Sequence, residues 1–206
     1  MLIDKGCIGK MLLKVAELWK AESAHLSDID SRFGDGDHGV TINKIAMLIE
    51  RKVSEWGDES LGEFIEDLGD EIMSVNGGSA GPLYGTMIGG LAEPLRGIDQ
   101  IDGQVLKKMF LGSLSAMEDI TKAKVGDKTM MDALIPAVEA ANKAENDIAE
   151  VLTSASKAAV EGAKASEAFI SKYGRARSYK EQTIGTPDAG AVSASIFFVG
   201  LAEGIK

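Results

Sequence analysis

The apolar positions of this chain recur at intervals of three and four residues and rarely at two. Leu12, Leu13, Ala16 and Trp19 share one face of a stretch over 3–25, and Ile42, Ile45, Ile49 and Val53 do so over 38–53. That spacing predicts amphipathic helices. Ser60-Leu61-Gly62-Glu63 has the form of a capping box and opens a third helix through Phe64, Ile65, Leu68 and Ile72. Pro82 suits the first turn of a fourth helix ending near Pro94. Val105, Leu106, Met109, Phe110 and Met117 predict a fifth over 102–121, followed by a sixth over 129–144 and an alanine-rich seventh over 148–173. An eighth starts after Asp188 and buries Ile196, Phe197 and Leu201. Strand signals are poor: alternating β-branched runs are few, and no Asn-Gly or Asp-Gly joins two of them. The reading is all-α, with about eight helices and no evident domain boundary, so that 1–206 is one domain.

Three connections stand apart, at 27–39, 76–86 and 174–190. Each is dense in glycine and polar residues while the helices around it are plain. Binding chemistry concentrates in loops carried by a rigid frame. Composition narrows what that chemistry can be. With 22 basic and 32 acidic residues the formal net charge is −10, and no basic run interrupts it. Nucleic acid and anionic membrane surfaces are therefore poor partners. No apolar run approaches the roughly 20 residues needed to cross a bilayer. Met1-Leu2-Ile3-Asp4-Lys5-Gly6 lacks the basic flank and apolar stretch of a signal peptide. The single Cys7 fits a reducing cytoplasm. The same negative charge repels phosphate, so a bound nucleotide requires a cation between the two.

The first connection supplies a place for one. Asp28, Asp30, Asp35 and Asp37 fall within ten residues of a segment punctuated by Gly34, Gly36 and Gly39. Carboxylates folded together are costly unless a cation neutralises them, and oxygen ligands of this kind suit magnesium, calcium or manganese. A solvated acidic turn ahead of the next helix is the plain alternative. The EF-hand template fails, because Gly39 and Ala46 stand where ligands are needed counting from Asp35. Gly34-Asp35-Gly36-Asp37-His38-Gly39 matches the dinucleotide glycine pattern only in letters, since no strand precedes it and two aspartates would face the pyrophosphate. His38 is open between ligand, base and helix-cap roles.

The second connection, Asn76-Gly77-Gly78-Ser79-Ala80-Gly81-Pro82, has the composition of an anion-binding turn at a helix N-terminus, or of a tight helix corner. No Walker A motif exists: Gly126-Asp127-Lys128-Thr129 has Thr121 where the first glycine belongs. The third connection gathers Arg175, Arg177 and Lys180 in an acidic chain, and Asp188 is a good N-cap for the last helix.

In this order the segments resemble the nucleotide-binding subunit of dihydroxyacetone kinases, the DhaL family. The motifs are Asp30 with Gly34 to Gly39, Gly77 to Thr86, Gly126-Asp127-Lys128-Thr129-Met130, Gly174-Arg175-Ala176 and Gly185 to Gly190. The resemblance implies a barrel of eight antiparallel helices with the nucleotide at one rim. It implies that Asp30, Asp35 and Asp37 hold two Mg2+ ions gripping the phosphates of ADP or ATP. It places His38, Gly39, Thr41, Gly78, Ser79, Ala80, Thr121 and Met130 at the nucleotide, with Arg175, Asp188, Ala189 and Gly190 in a lid. The chain departs from the family at Thr41, often Asn; at Thr121, an ADP-contacting glycine; in the order Ser79-Ala80; at Ala189, a proline; and at Arg177-Ser178. None of these removes a metal ligand.

The resemblance further implies a kinase, an alcohol-accepting phosphotransferase of glycerol metabolism, that works only with a DhaK-type substrate-binding subunit whose histidine holds the ketose. The donor is ATP, or ADP recharged in place by a DhaM-type protein of the phosphotransferase system; a homodimer is also compatible. No residue of this chain is assigned a catalytic role. The rival reading is an ADP-loaded regulator that binds a transcription factor without catalysis.

Overall fold

The computed structural model describes residues 2–205. Eight α-helices follow one another: α1 (Lys5–Ser31), α2 (His38–Glu55), α3 (Leu61–Met73), α4 (Ala80–Gly89), α5 (Gly103–Ile120), α6 (Met131–Lys143), α7 (Ile148–Ala165) and α8 (Ala189–Gly204). Shorter 3₁₀ segments occupy Gly90–Leu95, Ser166–Ala168 and Arg175–Thr183. Among the described residues there is no strand, only an isolated bridge between Ile3 and Ile101. The all-α expectation holds.

The helices close into a ring. α1 packs on α2, α3 on α4, α6 on α7 and α7 on α8, α5 bridges α4 and α6, and α8 returns to α1. Their apolar stripes form one continuous interior cluster. Trp19, Tyr84, Phe110, Phe197 and Phe198 are its largest fully buried side chains. Trp19 meets Tyr84 edge-on at 5.2 Å and Phe197 at 6.0 Å; such pairs add about 0.5–1.5 kcal/mol each beyond the area they bury. No helix of the described residues is long and apolar enough to cross a membrane.

Three helix ends differ from the pattern read in the sequence. α1 runs on to Ser31, so Asp28 and Asp30 lie on its last turns and not in a loop. The reason is the buried pair Leu26 and Ile29, which continues the stripe of Leu12 and Trp19. α7 stops at Ala165, short of the end expected at 173. The buried Ser166 hydroxyl donates to the Ala163 carbonyl at 2.6 Å and accepts from the Asp188 N–H at 2.9 Å, which draws the chain out of the helix. The fourth helix tightens to 3₁₀ over Gly90–Leu95, where Pro94 has no N–H to give.

The ring also fixes which connections meet. In an up-and-down arrangement the odd-to-even connections share one rim. Residues from all four of them, α1–α2, α3–α4, α5–α6 and α7–α8, line a single cavity. At the other rim, the Ile3–Ile101 bridge and the hydrogen bond from Lys5 to the Gly57 carbonyl join the start of α1 to the even-to-odd connections.

Candidate functional site

The cavity has a volume of about 340 Å³. Its first wall is acidic. Asp30, Asp35 and Asp37 each offer an oxygen, and these lie within 4.8 Å of one another. Asp30 comes from the last turn of α1, and Asp37 is the residue before α2. Burial pushes the Asp37 carboxyl up, and the charges of Asp35 and Asp30 push it further, with Arg175 opposing. Gly34 makes the convergence possible: a Cβ there would overlap Asp30 Oδ1 and stand 2.9 Å from the Asp30 carbonyl oxygen. An all-oxygen anionic donor set, part-exposed so that water or phosphate can complete the shell, fits a hard divalent cation.

Helix starts also line the cavity. At the far rim, the odd-numbered helices are each capped by a side chain. Asp4 accepts from the Cys7 N–H at 2.9 Å, Ser60 from Glu63 at 3.3 Å, Asp102 from Val105 at 2.8 Å and Asp147 from Glu150 at 3.0 Å. At the cavity, α2 and α4 begin at Asp37 and Ser79 with no side-chain cap. Their first N–H groups are the orphan donors of a helix terminus, carrying its partial positive charge. The turn ahead of α4 is shaped by glycine. Gly78 has φ +59 with open space around its missing Cβ, and a Cβ on Gly77 would strike Thr41 Oγ1. α6 starts at Met130, with the Met131 N–H taken by Thr129 Oγ1. Asp188 caps α8 through the Ala191 N–H at 2.8 Å.

A buried hydrogen-bond group adjoins the cavity through His38 and Tyr84. His38 Nε2 lies 2.8 Å from Ser193 Oγ, and Tyr84 OH lies 2.6 Å from the same oxygen. Ser193 Oγ also lies 2.9 Å from the Ala189 carbonyl, so one hydroxyl joins α2, α4 and the start of α8. Burial lowers His38 to about 4, so it is neutral near pH 7. The roof is the segment between α7 and α8. Arg175 pairs with Asp35 at 2.5 Å, and Tyr179 meets Phe33 at 5.2 Å.

Of the residues singled out in the sequence, Asp30, Asp35, Asp37, His38, Gly78, Ser79, Ala80, Met130, Arg175, Asp188, Ala189 and Gly190 all line this cavity. Gly39, Thr41 and Thr121 do not. Gly39 is buried against the Ser23 carbonyl of α1. Thr41 lies behind the glycine turn, its hydroxyl 3.4 Å from the Gly77 carbonyl. Thr121 ends α5 and accepts from the Ala123 N–H at 3.2 Å. Tyr84 and Lys128 stand in two of the motifs above without a role of their own, and Ser193 stands in none. Ser193 and Tyr84 are 109 residues apart, so no local pattern announces their contact.

Burial pushes the Asp188 carboxyl up to about 7, against the lowering effect of the Ala191 N–H. A carboxyl raised on folding contributes stability at low pH that is lost as pH climbs from about 4 through 7. Asp188→Asn keeps an N-cap and removes that titration. It is therefore expected to stabilise the unliganded protein more at pH 8 than at pH 5, by on the order of 2–4 kcal/mol. Melts at the two pH values check this; an equal effect at both would contradict the buried charge.

Comparison with known proteins adds independent information. A family model described as the DAK2 domain matches residues 32–203. The chain is 28% identical over 209 residues to the ADP-binding subunit DhaL of the PEP-dependent dihydroxyacetone kinase of Escherichia coli, covering all of both chains. It is 28% identical to the corresponding subunit of the second such kinase of Listeria innocua, covering 100% of this chain and 97% of that one. The dihydroxyacetone kinase of C. freundii superposes with a TM-score of 0.74 at 26% identity, over 95% of this chain and 34% of that longer one.

Proposed function

The chain belongs to the DAK2 domain family, and from that premise we propose that it is the nucleotide-binding subunit of a dihydroxyacetone-type ketose kinase. The observation that carries this reading is one cavity where three convergent carboxylates meet two helix N-termini without side-chain caps, α4 and, beginning at Asp37 itself, α2. Neither feature alone suits a polyphosphate. A chain of net charge −10 repels it, and helix termini supply only partial charges.

Asp30, Asp35 and Asp37 would hold two Mg2+ ions, which supply the full positive charge that binds phosphate oxygens and offsets charge developing on the transferred group. The chain's own groups do the rest. The N–H groups of the Gly78-Ser79-Ala80 turn and of the start of α2 receive the remaining phosphate oxygens. Met130 offers an apolar face to the base, as do Ala189 and Gly190 at the start of α8. Arg175 reaches over from the roof, and neutral His38, held by Ser193, borders the nucleotide without adding charge. Gly39 and Thr41 support the site from behind, by close packing of α2 on α1 and by contact with Gly77. Thr121 acts through the position of α6.

Neither histidine of the chain is free to hold a ketose covalently inside the cavity: His25 is exposed on α1, and His38 Nε2 is engaged by Ser193. In this reading the acceptor comes, as the resemblance to the DhaL family implies, on a separate DhaK-type subunit docked at this rim. The phosphoryl donor is ATP, or a phosphotransferase-system protein that recharges bound ADP. A cytoplasmic setting follows from both. The test is ketose phosphorylation by this chain with and without the substrate subunit, driven by ATP or by a phosphoenolpyruvate relay. Turnover is expected only with the partner present. Turnover on ATP alone removes the relay, and nucleotide binding without turnover under either donor replaces the kinase reading with a regulator that binds a transcription factor.

A further inference from the structure

Lys128 has no part in the chemistry above, yet it is the most unusual lysine in the chain. Its side chain is buried, with the residue only 4% exposed, and its backbone has φ +60, a conformation that non-glycine residues seldom adopt. No carboxylate pairs with it directly. Its ammonium instead points at four backbone carbonyl oxygens: Ser166 at 2.8 Å, Phe169 at 3.1 Å, Thr183 at 2.8 Å and Thr186 at 2.5 Å. An ammonium has three protons, so the cage holds more acceptors than donors and needs the positive charge to stay closed.

The four carbonyls are not scattered. Ser166 and Phe169 begin the segment between α7 and α8, and Thr183 and Thr186 end it. One atom thus gathers both strands of the neck of a loop whose tip carries Arg175. Asp132, fully buried, holds the base of the lysine in place by accepting from the Gly126 N–H at 2.6 Å and the Thr129 N–H at 2.7 Å. A buried cation is costly unless fully hydrogen-bonded, and buried carbonyls are costly without donors, so each half of the arrangement requires the other.

We propose that Lys128 is a tether: its ammonium draws the neck of residues 166–186 together and so positions the roof of the cavity, Arg175 included, over the ligand. It is a positioning residue, not a catalytic one. The tether itself is independent of what the cavity binds; its effect on nucleotide affinity rests on the function proposed above.

The test is amide hydrogen exchange on the full chain without ligand, comparing wild type with Lys128→Met, followed by titration of each with ADP and magnesium. In Lys128→Met, exchange over 166–187 is expected to rise about tenfold or more while α1 to α5 keep their protection. ADP affinity is expected to fall about tenfold through the loosened roof. Unchanged exchange in 166–187, or a uniform loss of protection across all helices, overturns the tether. Faster exchange with unchanged ADP affinity overturns its positioning role. A wild type that binds no ADP refutes the nucleotide reading and leaves the exchange result to decide the tether. If Lys128→Met does not fold, Lys128→Arg decides: its planar fork cannot present its donors from one atom, so faster exchange confined to 166–187 supports the tether, and wild-type exchange overturns it.

Discussion

Asp37→Asn is expected to weaken ADP binding in the presence of magnesium by about two orders of magnitude, or about 2.7 kcal/mol, with the fold intact. Asp37 is one of three carboxylates that share a cation site, and each supplies charge that no neighbour replaces. An amide keeps an oxygen but removes the negative charge on which a hard cation depends. The fold should not suffer, because the carboxyl is raised by burial and by Asp35 and Asp30. A group raised in this way opposes folding at neutral pH, and its removal leaves the melting temperature equal or higher. Calorimetry with ADP and magnesium, beside a thermal melt, checks both halves. Retained affinity refutes the assigned role, and lost affinity with a collapsed melt refutes its separation from the fold. Asp35→Asn should lose affinity comparably and also release Arg175 from its ion pair.

Gly34→Ala is the second large effect, and it adds only a methyl group. The new Cβ has no room beside Asp30 Oδ1 and the Asp30 carbonyl. Asp30 must swing away or the turn must open, and either movement takes one oxygen out of the cluster. The expected result is about a tenfold to hundredfold loss of ADP affinity with magnesium. The stability cost is smaller, about 1–3 kcal/mol, as for other overpacked positions. Calorimetry and a denaturant melt on the same preparation check this. Unchanged affinity would mean that the carboxylates need not converge.

These two substitutions bear on residues that were legible in the sequence. Four aspartates among glycines are an electrostatic anomaly that needs no structure to notice, and the glycine turn ahead of α4 announces itself by composition. The all-helical fold was legible for the same kind of reason, since its stripes recur locally. The helix ends were less so. The polar density of 27–39 concealed that Leu26 and Ile29 still face the core, which puts Asp30 on a helix and orients it rigidly. Residues 166–173 hold no glycine or proline, which concealed that the Ser166 hydroxyl diverts the chain. What could not be read was anything made by closing the ring. Ser193 reaches His38 across 155 residues and Tyr84 across 109. Lys128 collects carbonyls 38 to 58 residues away, and nothing in the motif Gly126-Asp127-Lys128-Thr129-Met130 announces that. That the starts of α2 and α4, both without side-chain caps, share one rim is likewise visible only once odd and even helices are seen to alternate.

The central claim is that a strongly acidic chain holds a nucleotide through divalent cations bound by the aspartate cluster of one cavity. Isothermal calorimetry of ADP into the purified chain, with magnesium and then with a chelator in its place, tests it most directly. Saturable binding with magnesium that disappears in chelator is the predicted result. No binding in either condition, or equal binding in both, would contradict it.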